Sequence, residues 1–296
     1  DEAGTALTTG DNNVAVGYAA LDANTTGGSN VGIGSSAIGA NTTGANNVAV
    51  GYNALLANTS ANYNSAFGER AMSANTTGAN NTAIGSQALL ANTTGTQNIA
   101  LGYGALVANT TASYNTALGY NTLAGNTTGA NNVAVGYLAL DANTTASNNA
   151  AVGSGALGAN TTGTGNVSVG TNSMVLNTEG SYNATVGYSA LDANTTGANN
   201  TAIGYATLGA NTTASNNVAV GYNALNDNTT ADSNTAVGAN ALATNTTGTL
   251  NNAFGVNSLD ANTTGNTNVA MGYAALGSNT TASANVAIGH DAMVAN

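Results

Sequence analysis

The chain has 296 residues, of which only 4% are charged, and one arginine against 12 acidic residues gives a net charge of -11. Nucleic acids and anionic membranes bind proteins through clustered lysine and arginine, so this composition argues against both as partners. Cysteine is absent, which excludes disulfide bonds and thiolate metal sites, and no apolar run approaches the roughly 20 residues of a membrane-spanning helix.

From Asn13 onward the sequence repeats every 17 residues, with no insertion or deletion. Counted from this residue, position 1 is Asn in every repeat, position 5 is always Gly and position 12 is always Asn. Positions 4 and 9 are always apolar, position 13 is always Thr, and position 14 is Thr with two exceptions. We therefore predict a repeat domain over residues 13–296, preceded by a partial coil over residues 1–12.

Two short alternating stretches, positions 1–6 and 8–12, predict two β-strands in each repeat. Neither stretch is long enough for a helix, and the Thr-Thr-Gly or Thr-Thr-Ala that follows would break one. The predicted fold is all-β: a parallel β-solenoid, or β-roll, of about 17 coils with 17 residues and two short strands per coil. Coils of this kind stack in register about 4.7–4.9 Å apart, and each is stable only because its neighbours cover it.

In-register stacking places the same position of successive coils in one column. Positions 4 and 9 are predicted to form the core, with the first members Val16, Ile33, Val50, Leu21, Ile38 and Leu55. Asn is predicted to form ladders at the turns, where it tolerates left-handed backbone and its amides can pair along the stack. The first members of the Asn and Gly ladders are Asn13, Asn30, Asn47, Asn24, Asn41, Asn58, Gly17, Gly34 and Gly51.

If positions 2 and 4 point inward, positions 3 and 5 point outward, yet both stay small. One interpretation is that the backbone of another copy of the chain approaches this face closely. The other is that Ala and Gly simply suit a tight coil.

Tyrosine recurs at position 6 in nine coils, and three further tyrosines fall at position 17. These rings either cover sheet edges and contacts between protomers or form an exposed aromatic stripe for a carbohydrate or another surface. The position-6 residues are Tyr18, Tyr52, Tyr103, Tyr120, Tyr137, Tyr188, Tyr205, Tyr222 and Tyr273, and the others are Tyr63, Tyr114 and Tyr182.

The Asn-Thr-Thr of most repeats is formally an acceptor for N-linked sugar. Either the rod is decorated there, or a structural Asn ladder beside a Thr ladder creates these sequons as a by-product. The candidate acceptors are Asn24, Asn41, Asn75, Asn92 and Asn109.

The repeat resembles the head repeats of YadA-type trimeric autotransporter adhesins and related repeats of phage and surface fibres. The resemblance rests on NNVAVGYAAL at residues 12–21 and NNVAVGYNAL at residues 46–55, and it extends over residues 13–296. It implies a left-handed parallel β-roll, three chains side by side and a role in adhesion. The ANTTG half of the repeat differs from the best-known heads, and this chain contains no coiled-coil stalk or membrane-anchor barrel.

The two ends of the sequence are in phase with each other, since Asn296 falls at position 12 and Thr8 at position 13. We expect head-to-tail stacking into a filament, with residues 1–7 as an overlapping or swapped segment; the alternative is that the ends were simply cut there. The candidate residues between subunits are Asp1, Glu2, Leu7, His290 and Asn296.

No acid–base pair, nucleophile or recurring metal-ligand spacing stands out, so we expect no enzyme activity and no cofactor. The sequence predicts a structural, adhesin-like fibre subunit at the cell surface or outside the cell. Its expected partners are copies of itself, with a host or environmental surface or glycan as a further candidate. The alternative is an ice-binding β-solenoid that uses the Thr ladder, although the adjacent threonines are expected to point to opposite sides.

Overall fold

The computed structural model describes residues 2–294, which form an all-β parallel solenoid of 17-residue coils, as predicted. The chain divides into two compact units, with the boundary between Asn148 and Asn149. The first unit contains β1 Val14–Val16, β2 Val31–Ile33, β3 Val48–Val50, β4 Ser65–Phe67, β5 Thr82–Ile84, β6 Ile99–Leu101, β7 Thr116–Leu118 and β8 Val133–Val135. The second contains β9 Ala150–Val152, β10 Val167–Val169, β11 Ala184–Val186, β12 Thr201–Ile203, β13 Val218–Val220, β14 Thr235–Val237, β15 Asn252–Phe254, β16 Val269–Met271 and β17 Val286–Ile288.

Within each unit, consecutive strands pair in parallel, one full repeat apart. Val31 of β2 lies opposite Val48 of β3 in the first unit, and Thr201 of β12 lies opposite Val218 of β13 in the second. Each strand covers positions 2–4 of its repeat. Identical positions therefore stack above one another throughout each unit.

The prediction of a second strand at positions 8–12 is wrong, because the structure has one three-residue strand per coil. Positions 7 and 9 adopt left-handed backbone, as at Asn53 with φ of 53° and Leu55 with φ of 53°. An extended strand cannot pass through left-handed residues, so positions 6–12 wind as a series of turns. These turns still pair with the next coil, since the backbone N–H of Leu55 donates to the carbonyl of Ala71 at 2.9 Å.

Half of the predicted core is also wrong, because the strands face the opposite way from the prediction. Position 4 points outward: Val16 is 55% exposed, Ile33 is 39% exposed and Val50 is half-buried. Position 9 is buried as predicted, with Leu21, Ile38 and Leu55 fully inside.

The small residues of the repeat complete this interior. Position 3 is fully buried at Ala49 and Ala66, and position 8 is fully buried at Ala54 and Ala71. Each coil from that of Leu21 to that of Leu276 therefore buries one large apolar side chain together with several small ones. The interior is narrow, and most of the large apolar side chains of the strands lie outside it.

Each coil is closed by two asparagines that donate to one carbonyl. In the second coil, the side-chain amide of Asn30 (position 1) donates to the carbonyl of Gly44 (position 15) at 2.8 Å. The amide of Asn41 (position 12) donates to the same carbonyl at 2.9 Å. Both asparagines are fully buried, so these bonds join the beginning of the coil to its final turn inside the protein.

The same asparagines also link neighbouring coils. The Oδ1 of Asn30 accepts the backbone N–H of Asn47, one repeat later, at 3.0 Å. Asn58 donates to Oδ1 of Asn41 at 2.8 Å. Both Asn ladders thus exist as predicted, but neither position has left-handed backbone in the described residues; the asparagines act through their side chains.

The position-5 glycines are small because of the next coil of the same chain. Gly51 has φ of 137°, a conformation that is essentially restricted to glycine. A Cβ built on Gly51 would lie 2.5 Å from the carbonyl oxygen of Gly68, its counterpart in the next coil. Positions 3 and 5 therefore stay small because of tight packing within the chain, which is the second of the two interpretations drawn from the sequence.

We predict that Gly51→Ala lowers the free energy of unfolding by about 3 kcal/mol or more, since it combines a strained φ with a backbone clash. Thermal unfolding followed by circular dichroism measures this. The control is Gly28→Ala at position 16, where Ala45 and Ala79 occur naturally and where φ is not positive. Equal losses in the two variants would contradict the argument.

We predict that Asn75→Asp destabilises the chain by about 3–5 kcal/mol at neutral pH, because it removes both amide donors and buries an unpaired carboxylate. Asn75 donates to Oδ1 of Asn58 and to the carbonyl of Gly78. Burial is expected to raise the pKa of the new carboxyl, so the loss in the free energy of unfolding becomes smaller as the pH falls through that pKa. Asn53→Asp, at a half-buried position that Asp291 occupies in the last coil, is the control and is expected to change stability little.

Candidate functional site

Within each unit, the outward side of the strands carries a largely apolar surface. Positions 2 and 4 lie on the same face of each three-residue strand, and position 4 is Val, Ile, Leu, Met or Phe in every coil. We call the position-4 side chains the apolar ladder. The members that are exposed are Val16, Ile33, Phe67, Ile84, Leu101, Leu118, Val152, Val186, Ile203, Phe254, Met271 and Ile288.

Position 2 adds to this surface and contains no charged residue. It is Val, Ile, Ala, Ser, Thr or Asn in the different coils. Ile99 and Val167 are 49% and 43% exposed. The strand face of each unit is therefore uncharged and largely aliphatic, although it faces solvent.

Some of the position-6 tyrosines form stacks on the protein surface. Tyr103, Tyr120 and Tyr137 stack in the first unit, with ring centroids 5.4 and 5.6 Å apart. Tyr188, Tyr205 and Tyr222 form an equivalent stack in the second unit.

The stacked rings present their edges rather than their faces. Tyr120 has a ring on both sides at near-parallel angles of 14° and 13°, yet it is 47% exposed. Its ring faces are covered by its neighbours, so the exposed part consists of the ring edge and the hydroxyl. The rings are exposed in the single chain, which agrees with either interpretation of the tyrosines, but a sugar has little access to the faces inside a stack.

The two adjacent threonines of each repeat have different environments. At position 13, the hydroxyl of Thr25 donates to the carbonyl of Thr42, one coil later, at 2.9 Å. The same bond recurs along both units, for example from Thr195 to Thr212 at 3.0 Å. At position 14, the side chains point into solvent in every coil of the described chain.

The candidate N-glycosylation sites are inaccessible in the folded chain. Asn24, Asn41, Asn75, Asn92 and Asn109 are all fully buried. Their side-chain nitrogens are already engaged: that of Asn92, for example, donates to Asn75 and to the carbonyl of Gly95. An N-linked sugar would have to replace one of these protons and open the coil, so the burial favours the interpretation of the sequons as by-products of the Asn ladder.

The candidate residues between subunits lie at the two ends of the described chain. The carbonyl of Glu2 accepts the backbone N–H of Ala19, so the N-terminal segment stacks on the first coil of its own chain. Leu7 is 38% exposed. The ring of His290 is exposed, stacks on Tyr273 at 5.0 Å, and has Nδ1 3.0 Å from Asp291. Asp1 and Asn296 lie outside the described residues.

Three kinds of site are absent from residues 2–294. No group of three or more His, Asp or Glu side chains is placed to hold a metal ion. No cavity suited to a ligand opens within either unit. No helix in this part of the chain has the length and apolar character needed to cross a membrane.

Three aspartates at position 10 are partly buried against the coil. Burial is the main influence on the carboxyls of Asp141, Asp192 and Asp260, and it raises their pKa above the ordinary value of an aspartate. Hydrogen bonds from nearby backbone or side-chain groups oppose this rise. These carboxyls belong to separate, non-adjacent coils, so they do not form a shared site.

The sequence did contain a signal for the turn that ends each strand. Asn or Gly occupies position 7 in eight coils, and these are the residues that most readily adopt left-handed backbone. A left-handed residue there ends the extended stretch, which leaves Ala-Leu at positions 8 and 9 in a turn with the leucine inside. The large residues of the strand can then point outward.

Comparison of the chain with protein-family models, with curated proteins and with solved structures found no match.

We predict that the chain becomes more stable as the pH falls from 7 toward the raised pKa values of Asp141, Asp192 and Asp260. A carboxyl whose pKa is higher in the folded state stabilises the fold when protonated, and that contribution is lost as the pH rises through the folded pKa. The triple variant with Asn at these positions should therefore show a flatter dependence of melting temperature on pH.

The matched control changes three exposed aspartates, Asp11, Asp227 and Asp232, to Asn and removes the same net charge. This comparison separates the effect of burial from the effect of total charge. Equal slopes in the two triple variants would contradict the assignment.

Proposed function

We propose that this protein is a structural, adhesin-like fibre subunit that acts outside the cell and associates side by side with copies of itself through the apolar ladder. One observation carries the proposal: position 4 is a large apolar residue in every coil, yet none of these side chains is buried and 12 of the 17 are exposed. Packing of the interior does not explain a large apolar side chain at position 4. A contact with another apolar surface would explain it.

Burial of this surface supplies a driving force. Monomeric proteins rarely expose contiguous apolar patches larger than about 300–600 Å². Each square ångström of apolar surface that is removed from water contributes about 25 cal/mol. Because the coils are in register, any contact that one coil makes with a second copy can be repeated by the coils above and below it.

The distribution of charge also favours a contact at this face. The chain carries a net charge of -11, so two copies repel each other overall. Positions 2 and 4 contain no charged residue in any coil. The acidic side chains that repel each other therefore lie outside the proposed contact, where salt screens their repulsion. The resemblance to trimeric adhesin heads implies three chains, and head-to-tail stacking stays a prediction.

Ice binding is the weaker candidate. A regular Thr ladder is the feature that suggested it. The position-13 hydroxyls, however, donate to carbonyls of the next coil, so only the position-14 hydroxyls are available to an external lattice. The threonines thus provide one free row rather than two.

We expect the full chain to sediment at a multiple of its 28.4 kDa mass. The double variant Ile84→Asp and Ile203→Asp places one charge on the apolar ladder of each unit and should shift the protein toward the monomer. Analytical ultracentrifugation measures the mass, and circular dichroism shows whether the variant stays folded.

The control is Ala79→Asp with Ala198→Asp, at position 16, which Asp232 occupies naturally. It adds the same charge away from the strands and should leave the association unchanged. A wild-type chain that is monomeric at all concentrations, or a folded Ile84→Asp and Ile203→Asp variant that still associates, would overturn the proposal.

A further inference from the structure

The Thr pair of the repeat raises a question that the fold does not answer. Position 13 is Thr in every coil for an internal reason, since its hydroxyl donates to the carbonyl of position 13 in the next coil, as Thr42 does to Thr59 at 3.0 Å. The backbone N–H groups of Thr42 and Thr43 donate to that same carbonyl. Position 13 is thus part of the link between coils.

Position 14 has no such internal role. Its side chain is exposed in every described coil, and none of its hydroxyls takes part in a hydrogen bond within residues 2–294. Even so, it is Thr in 14 of 16 repeats, and Ser60 retains the hydroxyl. Only Glu179 departs from this pattern.

Another exposed position of the same coil varies widely. Position 17 is exposed in nearly every coil, and it is Ser, Asn, Tyr, Gln, Gly, Leu, Thr or Ala. Glu179 also shows that a coil can form without a hydroxyl at position 14. A hydroxyl that the fold does not use, at a position that the fold does not restrict, indicates a requirement from outside the chain.

We propose that the position-14 hydroxyls are sites of O-glycosylation, spaced one coil apart along the surface of each unit. The first members are Thr26, Thr43 and Ser60. The proposal goes beyond self-association and does not depend on it.

An uncharged modification fits this surface better than a charged one. A phosphate carries about -1.5 to -2 charges at neutral pH, and acceptors on successive coils are about 4.8 Å apart, well within the screening length of about 8 Å in physiological salt. The chain already has a net charge of -11 and only one arginine to offset it. A neutral sugar adds hydration without this repulsion, on a chain that has few charged groups of its own.

The chemistry requires a nucleotide-activated sugar and a glycosyltransferase. The Thr Oγ attacks the anomeric carbon, and a bond forms between them. The bond from that carbon to the phosphate oxygen breaks, the nucleoside diphosphate leaves with the electron pair, and the hydroxyl proton passes to a base of the transferase. The neighbouring Thr25 is a poorer acceptor in the folded chain, because it is half-buried and its hydroxyl proton is already donated to the carbonyl of Thr42.

The test is site-resolved mass spectrometry of the full chain, purified from the cells that make it. The reference is the same chain produced in a host without protein O-glycosylation. A protease that cleaves after Tyr and Leu is needed, because Arg70 is the only site for trypsin. Fragmentation that preserves side-chain modifications then assigns each mass increment to one residue of the Asn-Thr-Thr triplet.

We expect sugar-sized increments on position 14, including Ser60, and none on position 13. The repeat that contains Glu179 is an internal control and should carry no increment in its Asn-Thr-Glu segment. The proposal would be overturned if the chain from its own cells had the mass of the unmodified sequence. Increments on Asn24 or Thr25, or phosphate-sized increments on Thr26, would overturn it as well. A bare chain that shows thermal hysteresis would instead assign the free hydroxyls to ice.

Discussion

The structure depends on one carbonyl group in each coil, that of position 15, which accepts hydrogen bonds from two buried asparagines. In the third coil these are Asn47 and Asn58, which donate to Ala61 at 2.8 and 3.2 Å. One asparagine begins the coil and the other precedes its last turn, so the carbonyl joins the beginning of the coil to its end. Both amides are buried and must be satisfied, and the same closure recurs from coil to coil.

The narrow interior follows from this closure. A coil that is held shut by two amides has room for one large side chain, which is Leu55 in the third coil, and otherwise for alanine and glycine. The leucine adopts φ of 53°, and such a conformation costs about 1–3 kcal/mol. Burial of a leucine contributes about 1.5–3 kcal/mol, which offsets that cost. The remaining large apolar residues lie outside because the interior cannot hold them.

Two columns on the outside of the coils have a fixed chemistry that the interior does not explain. Position 4 is always a large apolar residue, and position 14 nearly always carries a hydroxyl. The first supports the proposed contact between copies of the chain, and the second supports the proposed attachment of sugars. In both columns the side chains face outward and keep nearly the same chemistry from coil to coil, which points to a contact or a modification outside the chain.

The sequence by itself determined the 17-residue period, the parallel in-register stacking, the Asn and Gly ladders and the burial of position 9. These follow from repetition, because identical residues at a fixed spacing must occupy equivalent places in each coil. Only the tertiary structure decided which face of the strand is inside. In a strand of three residues, Val-Ala-Val alternates equally well in either direction, so that the pattern cannot distinguish a core of valines from a core of alanines. The interior between the closing asparagines and the left-handed turns at Asn53 and Leu55 is too narrow for the valines, so the alanines lie inside. The tertiary structure also decided that one threonine of each pair forms a hydrogen bond and that the other faces solvent.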